Sequence, residues 1–147
     1  MLYLFDIDGT LADASHRLPL ITQPKPDWDA FYIAADKDTP IWETITIARA
    51  LDKSMHRIIM VSGRSEIIRE ATVVWLRKYR VPFECVYMRG VNDHREDTVV
   101  KSEILDWLIA ANPKGEKIGG VFEDRQQCVD MYRARGLRVF QVAEGNF

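Results

Sequence analysis

At 147 residues, with 47% hydrophobic and 29% charged side chains, the chain is long enough to close one core and too short for two full-sized ones. That balance excludes a disordered segment, and the net charge of −2 excludes the broad cationic field that drives non-specific nucleic-acid binding. The two cysteines, Cys85 and Cys128, lack metal-ligand or disulfide spacing and read as buried thiols of a reducing compartment.

The first apolar run, Leu2 to Phe5, is cut short by Asp6 and Asp8, so it reads as a strand and not as a signal peptide or membrane span; the expected location is the cytoplasm. Ala12 to Asp38 breaks the pattern that follows. It holds Pro19, Pro24 and Pro26 with His16, Arg17, Trp28 and Phe31, and reads as a flap of about 12–38 inserted after the first strand, or as a surface excursion whose two aromatics pack on the core. From there helical patterns (Pro40 to Lys53, Glu66 to Tyr79, Asp97 to Ala111, Arg125 to Arg135) alternate with strand-like runs at Ile58 to Val61, Cys85 to Met88, Ile118 to Phe122 and Val139 to Val142. Asp97 is the expected N-cap of its helix, Pro113 follows that helix, and Gly136 ends the last one. The alternation predicts one α/β domain over 1–147, a mainly parallel five-stranded sheet covered on both faces, with ligands bound beyond the carboxyl ends of the strands.

Polar residues at those ends therefore carry the functional weight. In Asp6-Ile7-Asp8-Gly9-Thr10 the two-residue spacing turns both carboxylates toward one face, where one can attack phosphorus while the other transfers protons. Read alone, such a segment is equally an Asx-turn or a cap. Val61-Ser62-Gly63-Arg64 ends the second run before a helix: Ser62 can donate to a phosphate oxygen and Gly63 lets the backbone approach, although Ser-Gly is also common turn chemistry. Lys101, one turn into its helix, could bridge nucleophile and phosphate or be a solvated surface lysine; Arg89, Asp93, Arg95 and Asp97 could be an exposed salt-bridge cluster. Glu123-Asp124 places adjacent acids after an apolar strand, where a hard cation such as Mg²⁺ would relieve their repulsion.

Taken in this order, Asp6-Ile7-Asp8-Gly9-Thr10, Ser62, Lys101 and Glu123-Asp124 resemble the motifs of the haloacid dehalogenase superfamily. Val61 to Arg64, Asp93 to Lys101, Glu123 to Arg133 and Gln141 to Phe147 are further similar to the 3′-phosphatase domain of phage-type polynucleotide kinase/phosphatases. The resemblance implies a Rossmann-like three-layer α/β sandwich and a phosphomonoesterase with Asp6 as nucleophile, Asp8 as acid and base, and Ser62 and Lys101 meeting the phosphate charge. It also implies Mg²⁺ on Asp6, the Asp8 carbonyl and the Glu123-Asp124 pair, substrate contacts from Thr10, Arg17, Gly63, Arg64 and Arg95, and an architectural Asp97. Glu123 stands where that family has Asp, which makes Asp124 the expected ligand of the pair.

The implied substrate is a DNA or RNA 3′-phosphate in end repair, with a nucleotidase or small-metabolite phosphatase as the alternative; no membrane is involved. No Gly-x-x-x-x-Gly-Lys-[Ser/Thr] loop occurs in these residues, so no kinase half is expected. A signalling receiver would place its acidic pair first and its phosphorylated aspartate after the third strand, which this order does not match. A binding protein that had lost catalysis would lack one of Asp6, Asp8 and Lys101.

Overall fold

The computed structural model describes residues 1–112 and 115–145; Pro113, Asn146 and Phe147, which figured in the reading above, lie outside the described residues. Five parallel strands, β1 (Leu2–Phe5), β4 (Arg57–Ser65), β5 (Cys85–Arg89), β6 (Ile118–Arg125) and β7 (Val139–Gly145), form one sheet in the order β5-β4-β1-β6-β7. The small pair β2 (Ala12–Asp13) and β3 (Thr39–Pro40) is antiparallel and separate from it.

Period-two alternation assigns the strand residues to two cores. Phe5, Ile58, Met60 and Phe122 pack with Ile45 and Ala48 of α3 (Trp42–Lys53) and with Trp75 and Leu76 of α4 (Arg69–Lys78). Leu2, Leu4, Ile59, Val61 and Val121 face Leu105 and Leu108 of α5 (Asp97–Ala110) and Cys128 and Tyr132 of α6 (Gln126–Ala134). The result is helix, sheet, helix: the Rossmann-like sandwich expected from the alternation. Cys128 is buried, but Cys85 is only half-buried, because it opens edge strand β5.

Element limits moved where a neighbour intervened. The helix expected from Pro40 starts at Trp42, since Thr39 and Pro40 pair with Asp13 and Ala12. The one expected from Glu66 opens as a 3₁₀ turn over Glu66–Ile68 before α4. Asp97 is not the N-cap of α5: Glu96 takes that place, and the Asp97 carboxylate accepts from Arg89 and Arg125 instead of from the helix amides.

Residues 12–40 are built rather than loose. The β2–β3 ladder closes their base around two short helices, α1 (Pro19–Thr22) and α2 (Trp28–Ile33), the latter capped by the Asp27 carboxylate accepting from Ala30 N at 3.0 Å. Phe31 is buried, whereas Trp28 stays 50% exposed.

Two bulges open the sheet at its carboxyl ends. The β4–β5 ladder steps from Val61↔Tyr87 to Ser65↔Arg89, which frees Ser62-Gly63-Arg64. The β6–β7 ladder steps from Glu123↔Gln141 to Arg125↔Gly145, which frees Asp124. Among the described residues no helix is long and apolar enough to cross a membrane.

The aromatic stack Phe5–Phe122–Phe140, with centroids 4.3 and 4.8 Å apart, runs from core to surface. Phe122→Ala, at a buried position, is expected to cost about 3–5 kcal/mol in urea unfolding. Phe140→Ala, 42% exposed, is expected to cost well under half of that; equal losses would place the core elsewhere.

Candidate active site

β1 delivers Asp6 and Asp8. Asp6 N donates to Phe122 O at 3.0 Å, which continues the β1–β6 pairing one residue further and sets Asp6 beside Glu123. The chain then turns at Gly9 (φ +79), where a Cβ would come within 2.1 Å of Asp124 Oδ2; only glycine fits both the conformation and the space.

Lys101 rises from the first turns of α5 into this crowd of acids. It is buried, with Nζ 2.9 Å from Asp6 Oδ1 and 2.7 Å from Glu123 Oε2. Glu123 Oε1 accepts from the backbone N–H groups of Asp124 and Arg125, so both of its oxygens are engaged. Asp124 accepts from Thr10 Oγ1 at 3.4 Å on Oδ1 alone among side-chain donors. One oxygen each from Asp6, Glu123 and Asp124 lie within 4.8 Å of one another. Three carboxylates share one ammonium, an excess of acids that suits a divalent cation with oxygen ligands.

A second charged set holds Asp8. Arg17 Nη2 donates to Asp8 Oδ1 at 2.6 Å and Arg64 Nη2 at 2.7 Å, while both guanidiniums also grip Asp38 Oδ2, at 2.7 and 2.8 Å. All these bonds to Asp8 fall on Oδ1. Arg64 is completed by Thr72 Oγ1, Asp38 by His16 Nε2 at 2.7 Å and by Trp75 Nε1 donating to its carbonyl. Asp38 was not singled out from the sequence: beside Lys37, at the end of a polar stretch, it carries no local signal.

The remaining expected residues divide into two groups. Asp6, Asp8, Gly63, Arg64, Lys101, Glu123 and Asp124 meet on one cleft of about 590 Å³, with Arg95 and Asp97 at its edge. Thr10, Arg17 and Ser62 lie behind it. Thr10 and Arg17 are spent on Asp124 and Asp8; the Ser62 Oγ accepts from Arg64 N at 3.2 Å and keeps its own hydrogen to donate. Arg95 is 49% exposed and forks onto Asp93 and Glu103, not onto the floor. Asp97 joins Arg89 and Arg125, and a Cβ on Gly63 would strike its carboxylate at 2.5 Å.

These neighbours set the proton affinities. Burial, with Glu123 adding to it, pushes Asp6 up to about 8 against the pull of Lys101, and burial with Asp6 pushes Asp124 up to about 6. Burial would lower Lys101, but Asp6 and Glu123 raise it well above its usual range, so it stays charged. Burial would raise Asp8 and is outweighed by Arg64 and Arg17, which hold it below the usual carboxylate value; Lys101, Arg125 and Arg89 do the same for Asp97.

Two predictions follow from these charges. Because Asp6 and Asp124 bind protons more tightly folded than unfolded, the metal-free protein loses stability as pH rises from about 5 to 8, whereas the depressed Asp8 and Asp97 are ionised in both states there and add no slope. Millimolar Mg²⁺ or Ca²⁺ is therefore expected to raise Tm more at pH 8 than at pH 5 in thermal melts, and an equal rise at both would refute the cation site. Asp38→Asn, which leaves two buried guanidiniums with one carboxylate fewer, is expected to cost about 3–5 kcal/mol in urea unfolding. A loss under ~1 kcal/mol, the range of an exposed pair, would show that the network is not buried.

Comparison with known proteins agrees with this geometry. A chain of the Pnkp1/Rnl/Hen1 RNA repair complex superposes with a TM-score of 0.80 at 28% identity, over 99% of this chain and 43% of that one; this chain thus spans less than half of its length. The class C acid phosphatase from Bacillus anthracis (TM-score 0.70, 16% identity, 99% of this chain and 67% of that one) shares the fold. So does CbbY from Rhodobacter sphaeroides in complex with phosphate (0.59, 13%, 94% and 84%). The family model for the polynucleotide kinase PNKP phosphatase domain matches residues 1–147, so the chain belongs to that family, within the haloacid dehalogenase superfamily.

Proposed function

We propose that the protein is a magnesium-dependent phosphomonoesterase that acts through a phosphorylated Asp6 on the 3′-phosphate of a DNA or RNA end, in nucleic-acid repair. On this reading residues 1–147 are one catalytic domain and residues 12–38 its flap. The observation that carries it is the convergence on one cleft of Asp6, paired to a buried ammonium, and Asp8, held by two guanidiniums.

Asp6, the Asp8 carbonyl and Asp124 would hold the Mg²⁺, with Glu123 committed to Lys101 and the backbone. The ion supplies charge neutralisation between an anionic nucleophile and an anionic phosphate. An Asp6 oxygen attacks phosphorus in line while Lys101, the Ser62 hydroxyl and nearby N–H groups meet the charge on the equatorial oxygens. The ester P–O bond breaks, and the leaving oxygen takes a proton from Asp8. Water then gives a proton to Asp8 and attacks the same phosphorus, releasing phosphate and Asp6.

Asp8 suits both directions of transfer. Its Oδ1 is fixed by the arginines, and it lines the cleft, so Oδ2 is the oxygen left to carry the proton. The arginines keep it ionised in the resting site, as the water-activating step requires. An incoming phosphate, a like charge, raises its proton affinity and loads it for the first step.

The polynucleotide substrate is supported by family membership and by the likeness to a chain of an RNA repair complex. The cleft volume also fits a mononucleotide, which makes a nucleotidase the competing outcome. Asp6→Asn is expected to abolish turnover and retain the fold; near-normal activity in a pure preparation would end the mechanism. In a panel at matched concentrations, 3′-phosphorylated oligonucleotides are expected to outpace 5′-phosphorylated ones, mononucleotides and sugar phosphates. Faster hydrolysis of the last two would leave the chemistry and remove the polynucleotide.

A further inference from the structure

The floor of the cleft is charged, whereas its mouth sets apolar side chains beside charged ones such as Asp29 and Arg95. Leu18, Ile21, Trp28 and Tyr32 from the insertion, Ile67 after β4 and Val91 after β5 line the same cleft. The outermost are open to solvent: Trp28 at 50%, Ile67 at 70% and Val91 at 57%. Trp28 and Tyr32, four residues apart on α2, stand on one face with rings 6.1 Å apart. A sugar phosphate bound at the floor has no flat apolar surface to set against these side chains. A nucleoside does.

Trp28 is also a fixed platform. Its ring meets Phe31 edge-on at 5.7 Å; the Phe31 ring lies 4.2 Å from the Arg17 guanidinium carbon, and the Phe31 carbonyl accepts from Arg17 Nη1. Arg17 in turn donates to Asp8, so an unbroken set of contacts locates the tryptophan relative to the phosphate end of the cleft. A volume of about 590 Å³ is that of a site for one small ligand and has room for the last nucleotide of a strand end.

We propose that Trp28, which lines the same cleft as Ile67 and Val91, receives the nucleobase of the 3′-terminal nucleotide. This rests on the polynucleotide reading above. The test compares two 3′-phosphorylated oligonucleotides that differ only in whether the terminal nucleotide carries a base or is abasic, with the wild type, Trp28→Ala and Trp28→Phe.

The wild type is expected to prefer the base-bearing end in kcat/KM by about 5- to 150-fold, the span of one base–aromatic stack. Trp28→Ala is expected to erase most of that preference and Trp28→Phe to keep it, with Tm unchanged in both. Equal efficiency of the wild type on the two ends, or a preference that survives Trp28→Ala, overturns the proposal while the phosphatase reading stands. Should Trp28→Ala fold poorly, Trp28→Leu, which keeps apolar bulk without a ring, takes its place and is expected to lose the preference likewise; retention of the preference in Trp28→Leu overturns the proposal. Hydrolysis of neither oligonucleotide by a preparation active on small phosphomonoesters would remove the polynucleotide reading itself, and this inference with it.

Discussion

A single ammonium buried among three carboxylates governs the rest of the molecule. Lys101 is out of water and therefore tolerable only with close anionic partners, which Asp6 and Glu123 supply. That pairing exists because β1 and β6 are adjacent and parallel with Phe5 opposite Phe122, so that the next residue of each strand brings one acid to the lysine. Slipping the register by one would turn Asp6 into a helix-covered face and leave the ammonium unmatched. The chemical site and the central pairing of the sheet are thus one constraint.

The other half of the site is balanced by different means. Asp8 and Asp38 face Arg17 and Arg64, two charges of each sign, so this set needs no cation from outside. The separation matters chemically. The half around Asp6 is rich in carboxylates that could hold a divalent ion, while the balanced half keeps Asp8 fixed through one oxygen. It also gives the insertion a second place in the structure beside lining the cleft. Arg17 lies near its start and Asp38 at its end, just inside the β2–β3 ladder, so closure of the insertion's base and orientation of the acid are achieved by the same bonds.

What could be read from the sequence was what local pattern encodes. Short apolar runs gave the five strands within a few residues, and polar residues at strand ends or at the start of a helix, Asp6, Asp8, Ser62, Lys101, Glu123 and Asp124, were joined into one group by their resemblance to a known motif order. Long-range pairing was beyond such reading. Nothing near Asp38 distinguishes it from a surface acid, yet it is the common partner of two buried arginines. Asp97 has the composition of a cap, but Arg89 and Arg125, 8 residues before it and 28 after it, claim its carboxylate. The helices α1 and α2 of the insertion span four and six residues, too short for a periodic signal, and α2 rests on its Asp27 cap and aromatic contacts rather than on propensity.

The glutamate at 123 shows how a departure from the family pattern can be accommodated. Its longer side chain lets one oxygen reach Lys101 while the other turns back to the amides of Asp124 and Arg125. An aspartate is one methylene shorter and has less reach from the same backbone position. The glutamate thereby fixes the lysine and also shapes the turn on which Asp124 sits. Asp124 is the acid without a cationic partner among the described residues' ion pairs, lodged tightly where Gly9 and Gly145 have no side chains: a Cβ on either would come within 2.1 and 2.6 Å of its Oδ2. Two adjacent acids have in this way been given different work, the longer one holding a resident cation, Lys101, and the shorter one free for a divalent ion.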